Sequence, residues 1–373
     1  MRFATFIAMS QLVFTILLSA TAVQIGWWLV AAWLLCRKER AREDAPPRPV
    51  SVIICARNEA PRLRERLPAI LRQQYSDFEV LVVDHHSTDD TAAVLAGLAG
   101  EYPQLRILQA KTEATAGKKE ALTQGIAAAR HDLLLLTDAD CRPASPFWLQ
   151  RMAAKAGQRT QLVLGYGPYE KRPGLLNAFV RFEAAYTALQ YLAFALAGLP
   201  YMGVGRNLLY DRSLFRQTGG FAGHTELASG DDDLFVNAVA TGSNTRICLQ
   251  PEAFTWSEPK TTWREYVRQK RRHLSTAVRY RFVHQLALSM LAGSQMLHYG
   301  LAAFCLLAGI HPGAACSLLL LRWGLLTGLA FPLTRRLAVA DLRFFFPLLD
   351  LGLCGYYLYF LPAAFFPKKR PLW

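Results

Sequence analysis

Residues 133–141 of this chain read Leu-Leu-Leu-Leu-Thr-Asp-Ala-Asp-Cys, an apolar run that ends in two carboxylates. A short uninterrupted run of this kind predicts a strand that is buried on both faces of its sheet. Asp138 and Asp140 follow the strand two residues apart, so both can reach one small volume if the chain bends there. Carboxylate oxygens are the ligands that Mg²⁺ and Mn²⁺ prefer, often with substrate phosphates in the same shell. The segment therefore predicts a metal site, with a solvated turn as the alternative.

Two more apolar runs, at residues 50–55 and 80–84, precede this one, and helical patterns cover residues 60–74, 88–100 and 117–130. Short apolar strands that alternate with helices predict an α/β fold around a mostly parallel sheet with both faces covered. Ligands bind such sheets at the carboxyl ends of the strands. Each predicted strand ends there in polar residues: Arg57-Asn58-Glu59, Asp84-His85-His86 and Asp138-Ala139-Asp140.

A lysine stands where the predicted helix of residues 117–130 begins. Lys118 opposes the helix dipole at that end, which favours an anion nearby. We therefore expect Lys118 to contact a phosphate, and a solvated lysine is the alternative. Asp84 is followed by Ser87, Thr88 and Asp89, residue types that also cap helices. A carboxylate at this strand end can equally accept hydrogen bonds from a nucleobase or a ribose.

Residues 230–233, Gly-Asp-Asp-Asp, form a second acidic cluster. Adjacent carboxylates repel one another, so one of them is expected to have a raised pKa. Such a group can act as the general base that takes a proton from a hydroxyl. The alternative is a helix cap followed by solvated acids, because Leu234-Phe235-Val236 continues as an apolar face.

Apolar segments flank this region on both sides. Residues 3–36 carry no charge and are long enough to span a bilayer. A cleaved signal peptide, with residues 19–22 as its small-residue site, is the alternative. The basic residues Arg37, Lys38, Arg40 and Arg42 follow, which places the next segment in the cytoplasm. Further candidate spans cover residues 286–307, 312–332 and 344–366, and the basic residues 368–370 make the topology of the last one ambiguous.

The 373 residues carry a formal net charge of +14. A charge of this sign indicates either nucleic acid or an anionic membrane as a partner. No nucleic-acid motif accompanies the charge, so we expect a membrane and no nucleic acid. Residues 261–284 read as one basic amphipathic helix of the kind that lies in a membrane interface. The hydrophobic fraction of 52% supports a membrane protein.

Together these segments resemble the family 2 glycosyltransferases, inverting enzymes of the GT-A fold, over about residues 49–273. Residues 50–60 look like the first strand and turn of that family, and residues 84–89 look like its nucleotide motif. The other matching segments, in order, are Gly117-Lys118, Asp138-Ala139-Asp140, Gly203-x-Gly205-Arg206-Asn207, Gly230-Asp231-Asp232-Asp233-Leu234 and Gln269-x-x-Arg272.

The resemblance implies a role for each matched residue. Asp138 and Asp140 would hold a divalent cation, Mn²⁺ or Mg²⁺. Asp231 would be the base, and a slip of one residue in the alignment would make it Asp232. The acceptor or diphosphate side would include Arg206, Asn207, Gln269 and Arg272. The donor and its nucleotide would contact Ala56, Arg57, Glu59, Asp84, His85, Lys118 and Asp138.

Two departures from the family pattern bear on specificity. His85 replaces the second Asp of the nucleotide motif, which leaves the identity of the nucleotide open. His273 replaces the Trp that follows the Arg of the Gln-x-x-Arg motif, a residue typical of the polymerising members. That replacement disfavours processive polymer synthesis.

We therefore expect a GT-A (Rossmann-like) α/β domain with flanking transmembrane helices. The expected boundaries are an anchor at 1–36, a basic, Pro-rich linker at 37–49, the GT-A domain at 50–260, an interfacial helix at 261–284 and a C-terminal membrane region at 285–367. The expected function is transfer of a sugar from a nucleotide-diphosphate sugar, with UDP as first choice, to a lipid-linked or glycan acceptor. The expected location is a bacterial inner membrane with the catalytic domain in the cytoplasm. A processive polysaccharide synthase and an inactive membrane scaffold with this fold are the alternatives.

Overall fold

The structure is a computed structural model that describes residues 2–37, 47–111, 117–157, 159–225, 227 and 229–365. The chain divides into two compact units. One contains residues 1–38 and 281–362, and the other contains residues 39–280 and 363–373. The basic residues 38–42 and 368–370, on which part of the topology prediction rests, lie outside the described residues.

The second unit is built on a sheet whose described strands follow the order β3-β2-β1-β4-β7-β6-β8. Neighbouring strands are parallel except at β7, which runs antiparallel to both β4 and β6. A short antiparallel ribbon pairs β5 with β9. The strands are β1 Val50–Ala56, β2 Phe78–Asp84, β3 Leu105–Gln109, β4 Leu133–Leu136, β5 Cys141–Pro143, β6 Leu162–Gly165, β7 Leu208–Asp211, β8 Thr245–Cys248 and β9 Thr255–Ser257.

The helices fall into a long apolar set and a shorter set that accompanies the strands. The helices are α1 Arg2–Cys36, α2 Ala60–Leu71, α3 Thr91–Glu101, α4 Gly117–Ala128, α5 Trp148–Ala153, α6 Leu175–Leu196, α7 Arg212–Gln217, α8 Asp233–Val239, α9 Trp263–Leu274, α10 Phe282–Ala308, α11 Pro312–Arg336 and α12 Phe346–Phe365. The predicted interfacial helix of residues 261–284 is interrupted: α9 ends at Leu274, a 3-10 turn covers residues 277–279, and α10 begins at Phe282.

The apolar strands are buried because helices cover them. Val52, Leu135 and Val163 belong to one core cluster with Trp148 and Met152 of α5, and each of these side chains has at most 1% of its surface exposed. Continuous burial explains why these strands read as uninterrupted apolar runs rather than as alternating patterns. The mostly parallel α/β sheet that the sequence predicts is confirmed, with β7 as the antiparallel exception.

The register of the sheet brings the predicted polar strand ends to one edge. β1 pairs in parallel with β2, so that Ala56 lies opposite Asp84. β4 pairs with β1 on the other side, with Leu136 opposite Ile53. Parallel strands end on the same edge of a sheet, so the loops that follow β1, β2 and β4 converge there.

In the other unit, three helical segments among the described residues are long and apolar enough to cross a membrane: Ile7–Cys36, Phe282–Ala308 and Pro312–Arg336. Their helices pack around a fully buried ion pair between Arg322 of α11 and Asp350 of α12, at 2.5 Å. Tyr299 of α10 donates to Asp350, and Arg322 donates to Gln24 of α1. The four α-helices that the structure describes in this unit therefore meet at one polar cluster.

Candidate active site

The chain turns sharply after β4 and brings Asp138 and Asp140 together. The backbone N–H of Cys141 donates to the carbonyl of Asp138 at 3.0 Å, and Cys141 then enters the ribbon opposite Ser257. Ligand atoms of Asp138, Asp140 and Cys141 all lie within 4.8 Å of one another. This is the bend that two carboxylates spaced two residues apart require if they are to share a ligand.

The chemistry of this donor set fits a hard divalent cation. Burial raises the pKa of the Cys141 thiol, so it stays protonated at neutral pH and is a poor metal ligand. Burial and the neighbouring Asp138 carboxylate raise the pKa of Asp140. A cation between the two carboxylates would relieve that repulsion, so Asp138 and Asp140 are the residues that would hold Mn²⁺ or Mg²⁺.

Lys118 joins the metal motif to the second acidic cluster. Its Nζ lies 2.7 Å from an oxygen of Asp138 and 3.3 Å from an oxygen of Asp231. Burial opposes the charge on Lys118, but these two carboxylates outweigh it and hold the lysine pKa well above its usual value. An anion beside Lys118 is what its position at the start of α4 predicts, and in this structure both anions are aspartates.

Asp231 is the member of the cluster that faces Lys118. Burial tends to raise the pKa of Asp231, but the Lys118 ammonium reverses this and holds the pKa below its ordinary value. Gly230 precedes it with φ +103°, a conformation that strains residues with a side chain. The backbone turn that leads into Asp231 therefore favours a glycine at position 230.

Asp232 and Asp233 make hydrogen bonds that hold the surrounding backbone and side chains. Asp232 accepts from the backbone N–H of Gly205 at 2.7 Å, and burial with two flanking carboxylates raises its pKa to about 7. Asp233 accepts from the hydroxyls of Thr276 and Tyr280. Burial raises the pKa of Asp233, which these two hydrogen bonds partly counteract.

The loops after β1 and β2 are fastened to each other. Asn58 donates its backbone N–H to Ser87 and accepts from the backbone N–H of Thr88. Arg57 is half-buried in the first loop. Glu59 in the same loop pairs with Arg62 at 2.6 Å, and burial raises its pKa despite that partner.

The two histidines after Asp84 point to different environments. Asp84 is itself 2% exposed and accepts from the backbone of Ser87 and from Gln109. His85 donates its backbone N–H to the carbonyl of Ala56, and its ring is 0% exposed. His86 has φ +55° and an exposed ring that meets the ring of His85 edge-on at 5.3 Å. The sequence assigns donor contact to His85, whereas the structure puts His86 at the surface.

Of the four predicted acceptor-side residues, one holds the loop framework, two contact Tyr169 and one is exposed on α9. Asn207 is fully buried; its amide donates to the carbonyls of Tyr166 and Ala253, so it holds the loop framework. The Arg206 guanidinium lies 4.3 Å from the centre of the Tyr169 ring. Gln269 of α9 donates to the Tyr169 hydroxyl at 3.4 Å, and Arg272 is exposed near the end of α9.

The sequence profile described as "Glycosyltransferase like family 2" matches residues 46–276, the segment that contains all of these residues. The chain belongs to glycosyltransferase-like family 2. This confirms the predicted family and, together with the sheet topology, the GT-A type of α/β fold.

This family 2 chain matches only part of the length of its curated relatives. The Probable glycosyltransferase YdaM of Bacillus subtilis is 28% identical over 244 residues, which are 60% of this chain and 54% of that protein. The Beta-monoglucosyldiacylglycerol synthase of Nostoc is 33% identical over 102 residues, 27% of this chain and 22% of that protein. The chain thus spans about half of the first relative and about a fifth of the second.

Among solved structures, the mannosyltransferase PcManGT of Pyrobaculum calidifontis, in complex with GDP-Man and Mn²⁺, superposes with a TM-score of 0.60. The match covers 92% of this family 2 chain and 99% of PcManGT at 21% identity, so it shows a shared fold.

Sequence reasoning missed Tyr169, which contacts both Arg206 and Gln269. It follows β6 in a Tyr-Gly-Pro-Tyr segment that carries no recognisable motif. A β-carbon on Gly167 would lie 2.5 Å from Arg206 Nε, so a glycine is needed for the arginine to pass. The unusual density of glycine and tyrosine at the end of β6 was the available signal.

Proposed function

We propose that this chain transfers a sugar from a nucleoside-diphosphate donor to a hydroxyl acceptor and inverts the anomeric carbon. The observation that supports this most directly is the contact chain Asp138–Lys118–Asp231, with N–O distances of 2.7 and 3.3 Å. It brings the metal motif and a candidate base to one ammonium group. Donor diphosphate and acceptor hydroxyl would meet at that place.

Asp138 and Asp140 would hold a divalent cation, Mn²⁺ or Mg²⁺, beside the donor diphosphate. When bound, the ion supplies positive charge that neutralises the leaving diphosphate. Lys118 would share that task from its position between the two acidic motifs. A UDP-sugar is our first choice of donor, and the GDP-Man of the PcManGT complex makes a GDP-sugar the one to compare.

Asp231 would take the proton from the acceptor hydroxyl as that oxygen attacks the anomeric carbon from the face opposite the diphosphate. A base must be ionised and able to approach the hydroxyl. The Lys118 ammonium holds Asp231 in its ionised form against the cost of burial. Asp232 and Asp233 fit the role of the base less well. The carboxylate of Asp232 accepts a hydrogen bond from Gly205, and that of Asp233 accepts from Thr276 and Tyr280.

The acceptor and diphosphate side would be formed by Arg206, Gln269 and Arg272. Arginine pairs with phosphate oxygens through two parallel hydrogen bonds, which suits a diphosphate or a lipid phosphate. Asn207 would support this side indirectly through the loop that it holds.

We infer that the acceptor is a lipid or a lipid-linked glycan and that the catalytic unit faces the cytoplasm of a bacterial inner membrane. Three apolar helical segments among the described residues are long enough to span a bilayer. Basic residues follow the first one in the sequence, which favours a cytoplasmic location for the segment after it. A relative named for the synthesis of a glucosyldiacylglycerol matches part of the chain.

The test uses the full chain in lipid nanodiscs with a panel of nucleotide sugars, lipid acceptors and Mn²⁺. We expect acceptor-dependent release of a nucleoside diphosphate, loss of release in excess chelator and recovery on addition of Mn²⁺ or Mg²⁺. Asp140→Asn should abolish release, whereas Asp132→Asn, an exposed acid elsewhere, should not. Full turnover in excess chelator would exclude the proposed metal role.

A further inference from the structure

Helix α9 presents a stripe of arginines to solvent. Arg264, Arg268 and Arg271 are spaced four and three residues apart, which puts them on one face of the helix. All three side chains are exposed, whereas Tyr266 and Lys270 on the opposite face are 1% and 9% exposed. We call these three arginines the α9 basic stripe.

The apolar face of α9 is used inside its own unit. The Tyr266 ring packs edge-on against Trp263 and against Phe179 of α6, with centroids 6.1 and 6.3 Å apart. Lys270 forms an ion pair with the buried Glu183 of α6. The sequence predicts a helix that lies in the membrane interface, which would turn its apolar face to the lipid, but in the structure the outward face is the basic one.

Within α9 itself, the α9 basic stripe has one acidic neighbour in the sequence. The sequence of α9 contains one acidic residue, Glu265, whose carboxylate accepts from the Thr262 hydroxyl at the start of the helix. Two exposed apolar side chains flank the stripe: Trp263 is 52% exposed and Val278 is 41% exposed. Arginines beside an exposed tryptophan are typical of a surface that meets phosphates at a membrane interface.

The chain itself keeps the stripe near a bilayer. Only the seven residues 275–281 separate α9 from α10, one of the helices long and apolar enough to span a membrane. Seven extended residues reach at most about 25 Å. A cytoplasmic leaflet rich in anionic lipids attracts basic segments close to the membrane, by about fivefold for each Lys or Arg.

We propose that the α9 basic stripe binds the phosphate headgroups of anionic lipids in the membrane that holds this protein. The three arginines of the stripe are not among the residues assigned to the proposed acceptor side, which include Gln269 and Arg272. The inference does not depend on the chemistry of the active site, so its test needs no turnover.

The test measures quenching of Trp263 fluorescence by brominated lipids in nanodiscs, taken as the difference between the full chain and its Trp263→Phe variant. All discs contain the same fraction of brominated acyl chains, and their headgroups are phosphatidylcholine alone or phosphatidylcholine with rising fractions of phosphatidylglycerol. We expect quenching that increases with the anionic fraction. In the triple variant Arg264→Glu, Arg268→Glu, Arg271→Glu, apparent affinity for the anionic lipid should fall about 10²-fold, as expected for three arginines.

The matched control is Arg64→Glu, Arg159→Glu, Arg216→Glu, which makes the same charge change at three exposed arginines elsewhere in the unit. Its Trp263 fluorescence should be quenched to the same extent as that of the unmodified chain. Nucleotide binding by both triple variants checks that the fold survives. Soluble glycerophosphate is added to separate lipid headgroups from free phosphate, and reversal by millimolar glycerophosphate would contradict lipid binding. Equal quenching in neutral and anionic discs, or unchanged quenching in the α9 variant, would also overturn the proposal.

Discussion

The three consecutive aspartates 231–233 have different neighbours, and the neighbours set what each carboxylate can do. Asp231 faces an ammonium group, Asp232 accepts from a backbone N–H, and Asp233 accepts from two hydroxyls. One charge pattern in the sequence thus separates into a candidate base and two carboxylates that hold the fold.

The sharpest test of the base compares Asp231→Asn with Asp232→Asn. A general base contributes to the proton transfer and not to donor affinity, so Asp231→Asn should bind donor normally but transfer sugar about 10²–10⁴-fold more slowly. Asp232→Asn keeps an oxygen that can accept from Gly205 and should retain most of the rate. Donor binding and single-turnover rates check this. A fast Asp231→Asn enzyme together with a slow Asp232→Asn enzyme would assign the base to Asp232.

The pH dependence of kcat/KM separates the same two residues without mutation. A base works only when ionised. The pKa of Asp231 is held below its ordinary value, so the rate should not fall between about pH 8 and pH 5 on its account. Asp232 has a pKa of about 7, so as the base it would make the rate fall about tenfold for each pH unit below 7. A profile measured with metal and donor saturating decides between them.

At the scale of elements, Asp233 fastens the chain after α9 to the start of α8. Its carboxylate accepts from the hydroxyls of Thr276 and Tyr280, and all three residues are buried. The segment that carries Gln269 and Arg272 is thereby tied to the segment that carries Asp231.

Removing one of these hydroxyls should loosen that connection. Tyr280→Phe deletes a hydrogen bond of 2.7 Å to a buried carboxylate, so we expect a loss of about 1–3 kcal/mol in unfolding free energy. Thermal unfolding in detergent provides the measurement. Tyr102→Phe, which removes a hydroxyl bonded to Arg72 at an exposed site, is the control and should change little. Equal, small effects in both variants would mean that the Asp233 cluster does not stabilise this connection.

At the scale of the whole molecule, the apolar unit is held together by a polar centre. Arg322 and Asp350 are both 0% exposed, and Arg322 also donates to Tyr299 and Gln24. Charged residues inside apolar helices are costly unless they are paired. The pair therefore requires α12 to pack with α1, α10 and α11.

Removing one charge of the pair should destabilise the protein far more than removing both charges. Arg322→Ala leaves an unpaired buried carboxylate and should cost about 3–5 kcal/mol, which lowers the yield of folded protein. The double variant Arg322→Met, Asp350→Leu removes both charges and should recover much of that loss. Thermal unfolding and yield in detergent compare the two. If the double variant is no better than Arg322→Ala, the two charges do not act as a pair.

The local pattern of the sequence was sufficient to predict the strands at the centre of the sheet and the order of the motifs. It was also sufficient to place Asp138 and Asp140 at the end of a strand. These features depend on burial and on the alternation of strands and helices, both of which produce a hydrophobic pattern in neighbouring residues. The same kind of pattern predicted the ends of the helices at residues 282–308 and 312–336 to within a few residues.

Tertiary structure alone decided which side chains meet. Lys118 reaches Asp231 across more than a hundred residues of sequence, and the identity of Asp231 as the ionised acid depends on that contact. The backbone turn at His86, with φ +55°, buries His85 and exposes its neighbour. The inward face of α9 depends on Phe179 and Glu183, which lie far away in the chain. Such choices follow from long-range packing and turn geometry, which no local periodicity encodes.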